Sequence, residues 1–111
     1  MKGALILTTA ALLAGIAHAD PGDLTGDALK GRTLAQQECA QCHRVSSTAL
    51  PPKLLHAGPA FGDIANSASI TPTSLFVFLH SSHPPMPNIV LTQEESADVI
   101  AYIISLRRSR L

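Results

Sequence analysis

The chain contains no tryptophan, and its 111 residues include only three phenylalanines and one tyrosine. Large aromatics bury the most apolar area per side chain, so a core of ordinary composition is short of material and needs another source of apolar bulk. An excess of either charge is also missing, since eight basic residues balance eight acidic ones. Without a lysine–arginine stripe the chain has no row of phosphate contacts, which excludes nucleic acid as a partner. No repeat, second domain or convincing strand run occurs. There is no nucleophile elbow, phosphate loop or paired-carboxylate arrangement either.

The length allows one small domain. Its single long hydrophobic run lies at the start. Lys2 gives a short positive lead, Ala4 to Ala17 is apolar, and Ala17-His18-Ala19 fits a small-x-small cleavage pattern before the polar Asp20-Pro21-Gly22. That reads as a secretory signal peptide over residues 1–19. The run is shorter than the ~20 residues of a membrane span; an uncleaved anchor is the alternative. The mature domain then covers residues 20–111, with seven basic residues against eight acidic ones. Export places it in the periplasm, and sends both cysteines to an oxidising compartment where thiols are seldom left free.

Residues 20–26 read as a lead-in. Asp27 to about Glu38 predicts a first helix, with Ala28, Leu29, Leu34 and Ala35 at mainly three- and four-residue intervals. Ser46, Ser47, Pro51, Pro52, Gly58 and Pro59 make residues 44–59 a long loop. A short helix is expected over Gly62–Ser67. Thr71-Pro72 opens another that runs to about His80, with a capping hydroxyl before a first-turn proline. His83-Pro84-Pro85-Met86-Pro87 cannot be helix interior. Thr92-Gln93-Glu94-Glu95 is a capping box for a last helix ending near Leu106, with Ala97, Ile100, Ala101 and Ile104 on one stripe. Arg107, Arg108 and Arg110 follow, where positive charge complements the helix C-terminus or docks an acidic partner. The fold class is all-α, with three to five helices and long loops.

Cys39-Ala40-Gln41-Cys42-His43 is C-x-x-C-H, the attachment signature for c-type haem. Two thiols about one turn apart can each form a thioether to a haem vinyl group, and the adjacent histidine is carried beneath the iron. A buried porphyrin would also supply the missing apolar bulk. Three other readings use the same residues. A thioredoxin-like C-x-x-C pair is expected beside a β-α-β pattern, which is missing. A zinc site needs a second ligand pair, for which His80 and His83 offer an i, i+3 interval. A structural disulfide between Cys39 and Cys42 is the plainest.

From Gly26 to Leu106 the chain resembles the class I cytochrome c family. The resemblance rests on Gly31 ahead of Cys39–His43, then Gly58-Pro59 with Phe61, then Pro85-Met86-Pro87, then Ala101-Tyr102-Ile103 in the last helix. It implies one haem c attached through Cys39 and Cys42, wrapped in the small cytochrome c fold. It implies His43 as proximal axial ligand, with the Pro59 carbonyl accepting from its imidazole, and Met86 as distal ligand. Gly31 resembles the glycine where the first helix crosses the last, and Tyr102 the aromatic of the last helix. One departure lies at that crossing, where the first helix has Leu34 and Ala35 in place of an aromatic found in many relatives.

Met86 is the only thioether of the mature chain, and it sits between two prolines that pre-set its loop. Core filler is the other use of a lone methionine. His83 and His80 compete with it for the iron, and bis-histidine ligation would lower the potential that His/Met ligation raises. His80 otherwise reads as a cation at a helix C-terminus, and His83 and His56 as loop surface. Arg44 and Asn88 are candidates to serve the haem propionates or the ligand sulfur. With both axial positions filled, the iron changes oxidation state and does little else, so the expected function is a non-enzymatic, monomeric electron carrier. Its partners are other redox proteins: a dehydrogenase, an oxidase or another cytochrome. A vacant distal position would instead give a peroxidase-like or gas-binding haem protein, and a colourless protein would mean a module held by a disulfide or zinc.

Overall fold

The computed structural model describes residues 24–52 and 57–108. The expected signal peptide and its cleavage site, His56 and Arg110 lie outside the described residues. Among those residues there are four helices and no strand: α1 (Ala28–Glu38), α2 (Phe61–Asn66), α3 (Pro72–Leu79) and α4 (Gln93–Ser105). None is long and apolar enough to cross a membrane. The helix expected at Gly62–Ser67 starts one residue earlier and closes at Asn66, because Ser67 leaves the helical conformation as its C-cap.

Each start has a local cause. The Asp27 carboxylate accepts from the amides of Leu29 (2.8 Å) and Lys30 (3.1 Å), two donors that a helix start otherwise leaves unpaired. Thr71 and Ser74 exchange side-chain and backbone hydrogen bonds at 3.0 and 2.8 Å at the head of α3. Thr92 and Glu95 do the same at the head of α4 at 3.1 and 2.8 Å.

α4 is the centre of the fold. α1 crosses it, and α2 and α3 lean on it as well. The crossing is made by small residues. A Cβ added to Gly31 would overlap the Asp98 carbonyl, and one on Gly26 would overlap the Ala97 carbonyl. The two backbones therefore touch, and Ala35, standing where an aromatic is found in many relatives, is fully buried. This arrangement also corrects the expected face of α1. Leu29 is 76% exposed, because α1 buries the Gly31–Ala35 line, one helical turn in length, that permits close approach. The expected stripe on α4 is corrected likewise. Ala97 and Ile100 are buried, but Ala101 and Ile104 are only half-buried, while Val99, Tyr102 and Ile103 are inside. A helix packed by three others buries more than one stripe. The buried Asp98 carboxylate accepts from the Asp27 amide at 2.6 Å, fastening the N-cap of α1 to α4.

The rest of the core is Val45, Phe61, Ala65 and Leu75. The loop between α3 and α4 contains a cis Pro84–Pro85 bond.

Candidate functional site

The motif begins where α1 stops. The Cys39 amide closes the helix on the Ala35 carbonyl at 2.9 Å. The chain then turns tightly, with the amides of Cys42 (3.1 Å) and His43 (2.9 Å) both donating to the Cys39 carbonyl. The end of α1 thus fixes where both thiols lie. They are half-buried and free, with no disulfide between them. Burial pushes the Cys39 thiol up to about 11, helped by the charges of Glu38 and Cys42. A thioredoxin-like cysteine needs the opposite shift, since the thiolate is the reactive form. No three of His, Cys, Asp or Glu gather into a metal-holding group among the described residues, so His80 and His83 do not complete a zinc site with the cysteines.

The His43 ring is gripped from one side. Its Nδ1–H donates to the Pro59 carbonyl at 2.7 Å. A carbonyl only accepts, so Nδ1 carries the hydrogen and the neutral ring keeps its lone pair on Nε2. Gly58 lies against the ring so closely that a Cβ there would overlap it. The Gly58 amide donates to the Cys42 carbonyl at 2.7 Å, so the two ends of the long loop are joined at the motif. The Phe61 ring stands 5.3 Å from the imidazole, and Tyr102 6.4 Å from Phe61, centre to centre. The Tyr102 hydroxyl donates to the buried Val45 carbonyl at 2.6 Å, anchoring the segment after the motif to α4.

Cys39, Cys42, His43 and Pro59 are therefore brought together. Met86 lies on the loop between α3 and α4, beside His83. The Met86 amide donates to the His83 carbonyl at 3.3 Å, and His83 Nε2 lies 3.1 Å from the Met86 Sδ. The His83 Nδ1–H donates to the Ser81 carbonyl at 2.8 Å, and the ring packs against Phe78 at a tilt of 37°, with centres 3.5 Å apart.

Other candidates have different work. Arg44 spans its own loop, donating to the Ala49 and Ser47 carbonyls at 3.1 and 2.5 Å. Arg107 donates to the Ala65 and Ile70 carbonyls at 3.1 and 2.5 Å, so it joins the end of α4 to the segment around α2 and is not a free docking charge. His80 Nε2–H donates to the buried Ser96 Oγ at 2.9 Å, because that hydroxyl spends its own hydrogen on the Thr92 carbonyl. Asn88 is exposed. The periodicity of the sequence contains no signal for these carbonyl partners, which the tertiary fold brings within reach.

The donor set fits a haem. Two free thiols lie one tight turn apart, an imidazole has its tautomer fixed with one nitrogen open, and a glycine makes room for that ring. A thioether sits on a separate loop.

The comparisons with known proteins agree. Residues 28–107 match the family model described as Cytochrome c. The chain is 33% identical over 96 residues to cytochrome c-552 of Bradyrhizobium diazoefficiens, covering 86% of this chain and 90% of that protein. No solved structure matches. The chain belongs to the cytochrome c family, with covalently bound haem c as its cofactor, the motif Cys39–His43 as its attachment site and electron transfer as its function.

Proposed function

We propose that the chain is a soluble carrier of single electrons in the periplasm, with His43 and Met86 as the side chains that would hold its haem iron. The haem supplies a reversible ferric–ferrous couple when bound. The protein supplies the surroundings of that couple. Cys39 and Cys42 would hold the macrocycle from the end of α1. Pro59 orients the His43 ring and, by accepting from Nδ1, strengthens Nε2 as a donor to the metal. Met86 contributes a neutral thioether, which favours the ferrous state and raises the potential relative to a second imidazole. The observation that carries this reading is the 2.7 Å hydrogen bond from His43 Nδ1 to the Pro59 carbonyl, which leaves a single nitrogen for the iron. Donor and acceptor are other redox proteins that meet a small surface in brief encounters.

The test is a visible spectrum of the exported protein, oxidised and reduced, once a denaturing gel has shown that haem stays with the chain. Low-spin bands unchanged by carbon monoxide, with the weak long-wavelength band of sulfur on ferric iron, are the expected result. A carbon monoxide response in the unaltered protein would replace the carrier by a catalytic or gas-binding haem protein.

A further inference from the structure

The contact between His83 and Met86 has an unusual chemistry. The carbonyl of Ser81 can only accept, so the hydrogen of a neutral His83 ring is on Nδ1, and Nε2 presents a lone pair. A thioether has no hydrogen to donate. At 3.1 Å, Nε2 and Sδ are thus two electron-pair donors facing each other, and neither satisfies the other in that tautomer. Two donor atoms this close can reach the same electron-pair acceptor, one in place of the other. The ring is also pre-positioned: the Ser81 carbonyl holds its Nδ1 and the tilted Phe78 ring packs against it.

Resting on the axial role proposed for Met86, we propose that His83 is a reserve axial ligand to the haem iron, taking the sixth position when the thioether is lost. The exchange is a simple replacement. The iron–sulfur bond is absent, an iron–nitrogen bond forms from the Nε2 lone pair, Nδ1–H stays on the Ser81 carbonyl, and no electron or proton changes hands. The loop then protects the iron twice. Loss of the sulfur does not open the metal to small ligands; it converts the carrier to one of lower potential, because imidazole favours ferric iron more than a thioether does.

The experiment uses the exported holoprotein with Met86→Leu, which keeps the volume of the side chain and so the packing of the loop, and Met86→Ala alongside it. Both single variants are expected to lose the long-wavelength sulfur band, remain low-spin with the near-infrared magnetic circular dichroism of bis-imidazole iron, ignore carbon monoxide when reduced, and show a lower midpoint potential. Met86→Leu/His83→Ala is expected to turn high-spin and bind carbon monoxide, while Met86→Leu/His80→Ala stays like the single variant. Binding of carbon monoxide by Met86→Leu as readily as by the double variant overturns the inference, as does a double variant that stays low-spin. An unaltered protein that lacks the sulfur band and does not change on Met86→Leu overturns the Met86 assignment itself, a result distinct from the other two.

Discussion

His43 has two nitrogens and offers one of them. The Pro59 carbonyl takes the hydrogen on Nδ1, and Gly58 lets the ring sit flush against the backbone, so the geometry of the imidazole is set before any metal enters. At the other end of the domain a single carboxylate has a similar organising role. The backbone amides of Lys30 and then Leu29 hold the Asp27 carboxyl below its ordinary value, because both bonds favour the charged form. A carboxyl lowered in the folded state stabilises the fold above its unfolded pKa, about 4. It loses that contribution as the pH falls through the lower, folded value. Asp27→Asn is expected to flatten this part of the acid decline. The check is the denaturant midpoint of both proteins followed from neutral pH to well below the carboxylate range. Parallel curves would show that the cap does not respond to pH.

Between elements, the crossing of α1 and α4 sets the haem-bearing end of α1. Gly26, Gly31 and Ala35 let the backbones meet there, and the Asp98–Asp27 bond fastens the contact. Gly31→Ala is expected to force the helices apart, costing about 1–3 kcal/mol as overpacking does. A lowered denaturant midpoint would report it, and a midpoint unchanged from that of the unaltered protein would mean that α1 has room to move. The capping boxes at Thr71 and Thr92 fix the phase of α3 and α4 independently of that crossing, which is why these starts fall where their local residues place them.

For the whole molecule, the core is thin. Its buried members include Ala35, Ala65 and Ala97, and its aromatic content is Phe61 and Tyr102. A domain of this size with so little apolar volume depends on its cofactor for cohesion. Protein with Cys39→Ala/Cys42→Ala, made without haem, is expected to lose its sharp thermal transition by circular dichroism while retaining some helix. A haem-free chain that melts as sharply as the holoprotein would contradict this.

The attachment motif, the capping boxes, the proline-stiffened loop and the all-helical class were legible in the sequence because each depends on residues within a few positions of one another. Cys39 to His43 span one turn, and Thr92 meets Glu95 three residues on. The buried faces of α1 and α4 were not legible, since Leu29 points outward and Val99, Tyr102 and Ile103 point inward only because of which helices cover α4. The roles of Arg44, Arg107 and His80 were hidden for the same reason: their partners are backbone carbonyls or a hydroxyl placed there by folding. By itself the sequence determined the chemistry of the site and the local starts of its helices, through short-range spacing and capping. Only the tertiary structure decided which nitrogen of His43 is free, and that His83 Nε2 lies against the Met86 Sδ, because hydrogen-bond partners and close approach are properties of the folded chain.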